Sequence, residues 1–168
     1  LGATMGIFLS ADLFTTFIFF EIMSFTSTVL VIHEEDDHTI RSAYTYMTVA
    51  IIGGLVTLMG LFMMYQMAGT LNMAELTEFM HAQEDKTAYY AVGVLILFGF
   101  AAKAGLFPLH IWLPNAYSVA PAPSSALLSC ILTKTGVFGT IIVSCKLFMH
   151  DAQWGNLILI LGIITMVM

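Results

Sequence analysis

Lys103 stands five residues ahead of Pro108 in an almost wholly apolar stretch, FGFAAKAGLFPLHIWLP, residues 98–114. Two further lone charges sit in similar surroundings: Glu21 in FFEIMSFTSTVLV, and Lys134 in LLSCILTKTGVFG. His110 follows just beyond Pro108. Carboxylate, ammonium and imidazole groups kept apart by apolar side chains have one chemistry in common, the gain and loss of a proton. Nothing in the sequence suggests chemistry on a bound substrate. It has no Gly-rich phosphate loop, no CxxC pair and no Ser-His-Asp arrangement.

The elements that hold these groups follow from composition. Of 168 residues, 59% are hydrophobic and only 10% charged, where a soluble domain carries about a quarter. Apolar runs of membrane-crossing length recur along the chain, which predicts an all-α, polytopic transmembrane helix bundle. The net charge of −6 reflects two acidic loops, one at Glu34-Glu35-Asp36-Asp37 and one holding Glu75, Glu78, Glu84 and Asp85. Five Lys and Arg residues make no basic patch for nucleic acid or anionic lipid. Cys130 and Cys145 share one predicted helix about 22 Å apart, too far for a disulfide, and read as apolar filler.

The whole chain is expected to be a single transmembrane domain. A partial span covers 1–9, and full spans cover about 11–33, 41–67, 88–117 and 123–149, with a further partial span over 153–168. Both ends lie within apolar segments, so the chain reads as a fragment of a longer protein. The polar stretch 72–86 fits a short interfacial helix. The span 88–117 is expected to be discontinuous, with breaks at Pro108 and Pro114. Pro123 suits a first helical turn, with Ser124 or Ser125 as its cap.

On these spans Glu21 falls near a midpoint, and Lys134 lies about 17 Å beyond Pro123. Lys103 is central if 88–117 crosses as a whole. Each such charge costs about 2.5–3.5 kcal/mol on insertion scales, and such groups normally face the bundle interior and pair. Pro108 removes a backbone donor and clashes one turn back, at Ala104, beside Lys103. A broken helix at membrane depth is tolerated where its backbone lines a cavity or is covered by protein. His110 can relay a proton there, or be an interfacial His beside Trp112 in an aromatic belt. The plainer reading of Glu21 and Lys103 is a structural ion pair, which leaves Lys134 unpartnered.

KAGLFPLHIWLPNAYSVAPAPSSALLS, residues 103–129, resembles the signature of the antiporter-like membrane subunits of respiratory complex I, Mrp-type antiporters and membrane-bound hydrogenases. The matching elements include Lys103, Pro108-Leu109-His110, Trp112-Leu113-Pro114 and Ser125-Ala126-Leu127. The stretches around Lys134 and Glu21 resemble two further family helices. KAG, the LH-W-LP pattern and APAPSSALLS look most similar to the hydrogenase and formate hydrogenlyase type.

The resemblance implies a proton-translocating subunit of a redox-driven complex, of complex I or hydrogenase type. Glu21 would tune Lys103, and protons would pass by way of Lys134 to a second half absent from this chain. It implies no redox centre in this chain, with iron–sulfur clusters and flavin or NiFe carried by partner subunits of a hydrophilic arm. Other antiporter-like subunits, the lipid bilayer, and protons or sodium ions are the remaining partners. The expected location is the prokaryotic cell membrane. One alternative is a Mrp-type sodium/proton antiporter subunit. Another is a structural or assembly subunit whose buried charges only hold helices together.

A metal site at HEEDDH, residues 33–38, fails on spacing, because its two His are five apart and do not share a helix face. No pair of His residues at matched depth offers a haem site. The Met-rich run MGLFMMYQM, residues 59–67, is read as lipid-facing filler.

Overall fold

A computed structural model describes residues 1–33, 36–83, 86–149 and 151–167. The acidic residues Glu34, Glu35, Glu84 and Asp85 therefore lie outside the described residues. The chain is all-helical. Helix α1 covers Gly2–Leu9, α2 Leu13–Val31, α3 Asp37–Ala68, α4 Met73–Ala82 and α5 Thr87–Ala104. A short 3₁₀ turn, Leu109–Ile111, leads into α6, Trp112–Val119. Helices α7, Ala122–Leu127, and α8, Thr133–Ile142, are joined and followed by π turns at Leu128–Leu132 and Val143–Leu147. Helix α9 covers Ala152–Val167.

Four helical segments among the described residues are long and apolar enough to cross a membrane: Leu13–Val31, Asp37–Ala68, Thr87–Val119 and Ala122–Leu147. Two of the helix starts are capped and tied together. The Asp12 side chain caps α2 through the N–H of Thr15 at 2.7 Å, and the Asn72 side chain caps α4 through that of Ala74 at 3.0 Å. The two caps sit side by side. Leu13 N–H donates to Leu71 O at 3.0 Å, and Met73 N–H to Ala11 O at 3.1 Å. This fixes the short helix α4 at the face where α2 begins.

These spans are apolar on every side, so close approach rather than amphipathic patterning decides which faces meet. Helix α3 packs along α5 through Gly53, Thr57 and Gly60, and α8 packs on α5 through Gly136 and Gly139. A Cβ at Gly136 would stand 2.6 Å from Phe100 O and 2.9 Å from Lys103 C. Only glycine lets α8 lie directly on the backbone that carries Lys103.

Several sequence expectations change. Pro114 does not break a helix. It is the third residue of α6, in a first turn where its missing N–H has no intrahelical partner to lose. No serine caps α7, which begins one residue before Pro123, after an N-terminal flank at Pro121. The Met-rich run is not uniformly lipid-facing, since Met64 and Leu61 are buried core residues. Trp112 lies in no outer belt: it is 1% exposed.

Candidate functional site

The break beside Lys103 starts at a glycine. Helix α5 ends at Ala104, and Gly105 takes the left-handed conformation, φ 81°, that a side chain disfavours. The N–H groups of Gly105 and Leu106 both turn back to Ala101 O, the latter at 3.0 Å. Phe107 N–H donates to Thr165 Oγ1 of α9 at 3.2 Å, and Leu109 N–H to Leu106 O at 2.8 Å. Pro108, which has no N–H, completes the turn without leaving a donor stranded. Helix α5 has therefore already stopped before Pro108 could clash with it.

Lys103 sits in the last turn of α5, at 4% exposure. The carbonyl end of a helix is the end that favours a cation, by up to about 2 kcal/mol when partly buried. Its Nζ donates to the hydroxyl of Tyr46, lies 4.4 Å from the centre of the Tyr46 ring and 5.8 Å from that of Trp112. The helix end and the hydroxyl bond offset part of the insertion cost of about 2.5–3.5 kcal/mol for a central charge.

Three elements converge on the ammonium. Helix α3 supplies Tyr46, and α2 supplies Ser27, whose Oγ is hydrogen-bonded to the Tyr46 hydroxyl. Helix α6 folds Trp112 back so that its indole N–H donates to Ala102 O at 2.8 Å. That bond satisfies one of the carbonyls that the end of α5 leaves unpaired. Tyr46 and Trp112 meet edge to face at 5.0 Å. Between them and Phe20, Ser24 and Ala102 lies a cavity of about 10 Å³, the size of a single water.

Glu21 lies on α2, within electrostatic reach of Lys103. The two form no ion pair: among the described residues Lys103 Nζ is bonded to the Tyr46 hydroxyl instead. The Glu21 carboxylate rests against the α3 backbone at Gly54, where a Cβ would stand 2.5 Å from Oε1 and 3.1 Å from Oε2. Its buried Oε1 has no hydrogen-bond partner among the described residues. His110 is half-buried, with its ring 5.8 Å from that of Phe107, and its buried Nδ1 likewise has no partner among them.

Lys134 does not join this cluster. It is exposed on α8, while its neighbours Thr135 and Gly136 face inward. The positions of charges and prolines do not by themselves single out Tyr46, Ser27 or Gly54. The available signal was the spacing Thr39, Ser42, Tyr46, Gly53, Thr57, Gly60, a small and hydroxylic stripe along one face of α3.

Residues 10–168 match the model of a family described as NADH:quinone oxidoreductase/Mrp antiporter, transmembrane. The chain belongs to this family. As a member of it, the chain is 35% identical over 167 residues to a Na⁺/H⁺ antiporter subunit of Alkalihalophilus pseudofirmus, covering 99% of this chain and 34% of that one. It is 32% identical over 176 residues to Hydrogenase-4 component B of Escherichia coli, covering 98% and 26%. Its fold superposes on a chain of the membrane-bound sulfane sulfur reductase, an archaeal respiratory membrane complex, with a TM-score of 0.85 and 29% identity. That match covers 94% of this chain and 32% of the other. The family chain thus spans about a third or less of the length of the proteins it matches. Over the whole chain, the antiporter subunit is the more similar of these two relatives.

Proposed function

We propose that this chain forms one proton-handling half of a sodium/proton antiporter subunit of the Mrp type, in a prokaryotic cell membrane. The observation that carries the reading is Lys103, a buried ammonium held at a helix end by a hydroxyl, with no ion pair among the described residues to lock it. A cation in a direct buried ion pair is costly to neutralise. One held by a neutral hydroxyl can release its proton and keep its partner. Glu21 sets the local field from α2, and Lys134, on the helix pressed against the end of α5, receives the proton for onward passage. His110 serves the segment beyond the break. Similarity to the Alkalihalophilus antiporter relative supports the sodium/proton exchange reading.

A second reading, a redox-driven proton pump, has support from the likeness to the sulfane sulfur reductase chain. In that case a hydrophilic arm with iron–sulfur, flavin or NiFe centres would drive the same residues. Everted membrane vesicles carrying the full-length protein in its complex distinguish the two. Sodium addition should move protons in the antiporter case, and an electron donor should do so in the redox case. Lys103→Ala and Glu21→Gln should each lower that proton movement about tenfold or more at unchanged complex level. Full-rate transport by Lys103→Ala would refute the half-channel reading.

A further inference from the structure

We infer that Tyr46 is a positioning residue that holds Lys103 in its proton-exchanging pose and reverses its own hydrogen bond when Lys103 loses its proton. The inference rests on the half-channel reading above.

The donor inventory fixes the bond directions. An ammonium has three donors and no acceptor, so the Tyr46 oxygen must accept from Lys103 Nζ. The Tyr46 proton is then free for α2, toward Ser27 Oγ or, at 3.4 Å, toward Ser24 O. Ser27 spends its own proton on Ser24 O at 2.9 Å, so its oxygen is left to accept from Tyr46. The result is one directed line, Lys103 to Tyr46 to Ser27 to the Ser24 carbonyl. A neutral amine has a lone pair. Once Lys103 has given up its proton, Tyr46 can donate to Nζ and accept from Ser27. Rotation of two hydroxyls accomplishes this with every heavy atom in place. Among the described residues, Tyr46 is the group bonded to Nζ.

The pose also depends on where Tyr46 stands. Its ring is 1% exposed and braced edge to face by Trp112 at 5.0 Å, so the hydroxyl cannot swing away without opening the core. The titratable and charged groups facing this point are Glu21 from α2 and Lys103 from α5, while Tyr46 itself represents α3.

The test uses the full-length protein in its complex, in everted vesicles, with complex level measured alongside transport. Tyr46→Phe keeps the ring and removes the hydroxyl; it should lower transport about tenfold. Ser27→Ala should lower it about threefold, and the double variant should be no worse than Tyr46→Phe alone, because both act through one line. Tyr44→Phe, on an exposed side chain of the same helix, should transport normally. Transport above half the normal rate in Tyr46→Phe would overturn the inference, as would a double variant whose loss is the product of the two single losses. If Lys103→Ala is inactive while Tyr46→Phe is active, the half-channel reading stands and this inference alone fails.

Discussion

Trp112, from beyond the break, caps the helix before it: its Nε1 donates to Ala102 O at 2.8 Å. The same ring braces Tyr46 and lies 5.8 Å from Lys103 Nζ. Trp112→Phe should leave that buried carbonyl unpaired and cost about 1–3 kcal/mol of stability. Denaturant unfolding of the full-length protein in detergent measures this. Trp112→Leu should cost more, since it removes both the brace and the aromatic face.

Gly54 and Gly155 predict opposite outcomes for the same substitution. A Cβ at Gly54 would stand 2.5 Å from Glu21 Oε1, whereas one at Gly155 meets nothing within 4 Å. Gly54→Ala must displace the carboxylate and should lower proton transport about tenfold. Gly155→Ala should transport normally and gain up to about 1 kcal/mol from helix propensity.

Lys134 separates transport from stability. Its side chain is exposed, so Lys134→Ala should change unfolding free energy by no more than about 0.5 kcal/mol. Transport should nevertheless fall by about tenfold if Lys134 takes the proton from Lys103. Normal transport in this variant would remove Lys134 from the relay.

Asp151, in the corner between the span ending at Leu147 and α9, predicts a pH effect. Burial pushes its carboxyl up, but hydrogen bonds from the Tyr90 hydroxyl at 2.6 Å and the N–H groups of Trp154 and Gln153, with the nearby Lys86 charge, outweigh it. The carboxyl is thus held below the usual carboxylate range. A depressed carboxylate contributes stability above its unfolded value, near pH 4, and loses it as pH falls through the lower folded value. Tyr90→Phe should therefore melt below the unaltered protein at pH 7, with the gap narrowing below about pH 4. A gap constant from pH 7 to pH 3 would disprove the assignment.

The spans were legible because apolar length is a direct reading of bilayer thickness. That Lys103 is buried within the bundle was legible for the related reason that a charge in such a run is costly. Its partner was not read from apolar patterning: α3 carries Tyr46 on a small and hydroxylic stripe, and that stripe marks the packed face without saying which of its residues meets the ammonium. Apolar uniformity hid the outward direction of Lys134. Proline drew attention to positions 108 and 114, although the helix stops at Gly105, a residue whose role shows only in its backbone angle. At Pro114 the ring merely fits a first turn.

Thr165 grips the N–H of Phe107 across from α9. The final helix is therefore tied to the turn that follows α5 through this hydroxyl, and to α5 itself through the stack of Trp154 on Tyr90. A slide of α9 by one turn must either break that link or carry Phe107 with it, just past the cap that ends the helix of Lys103.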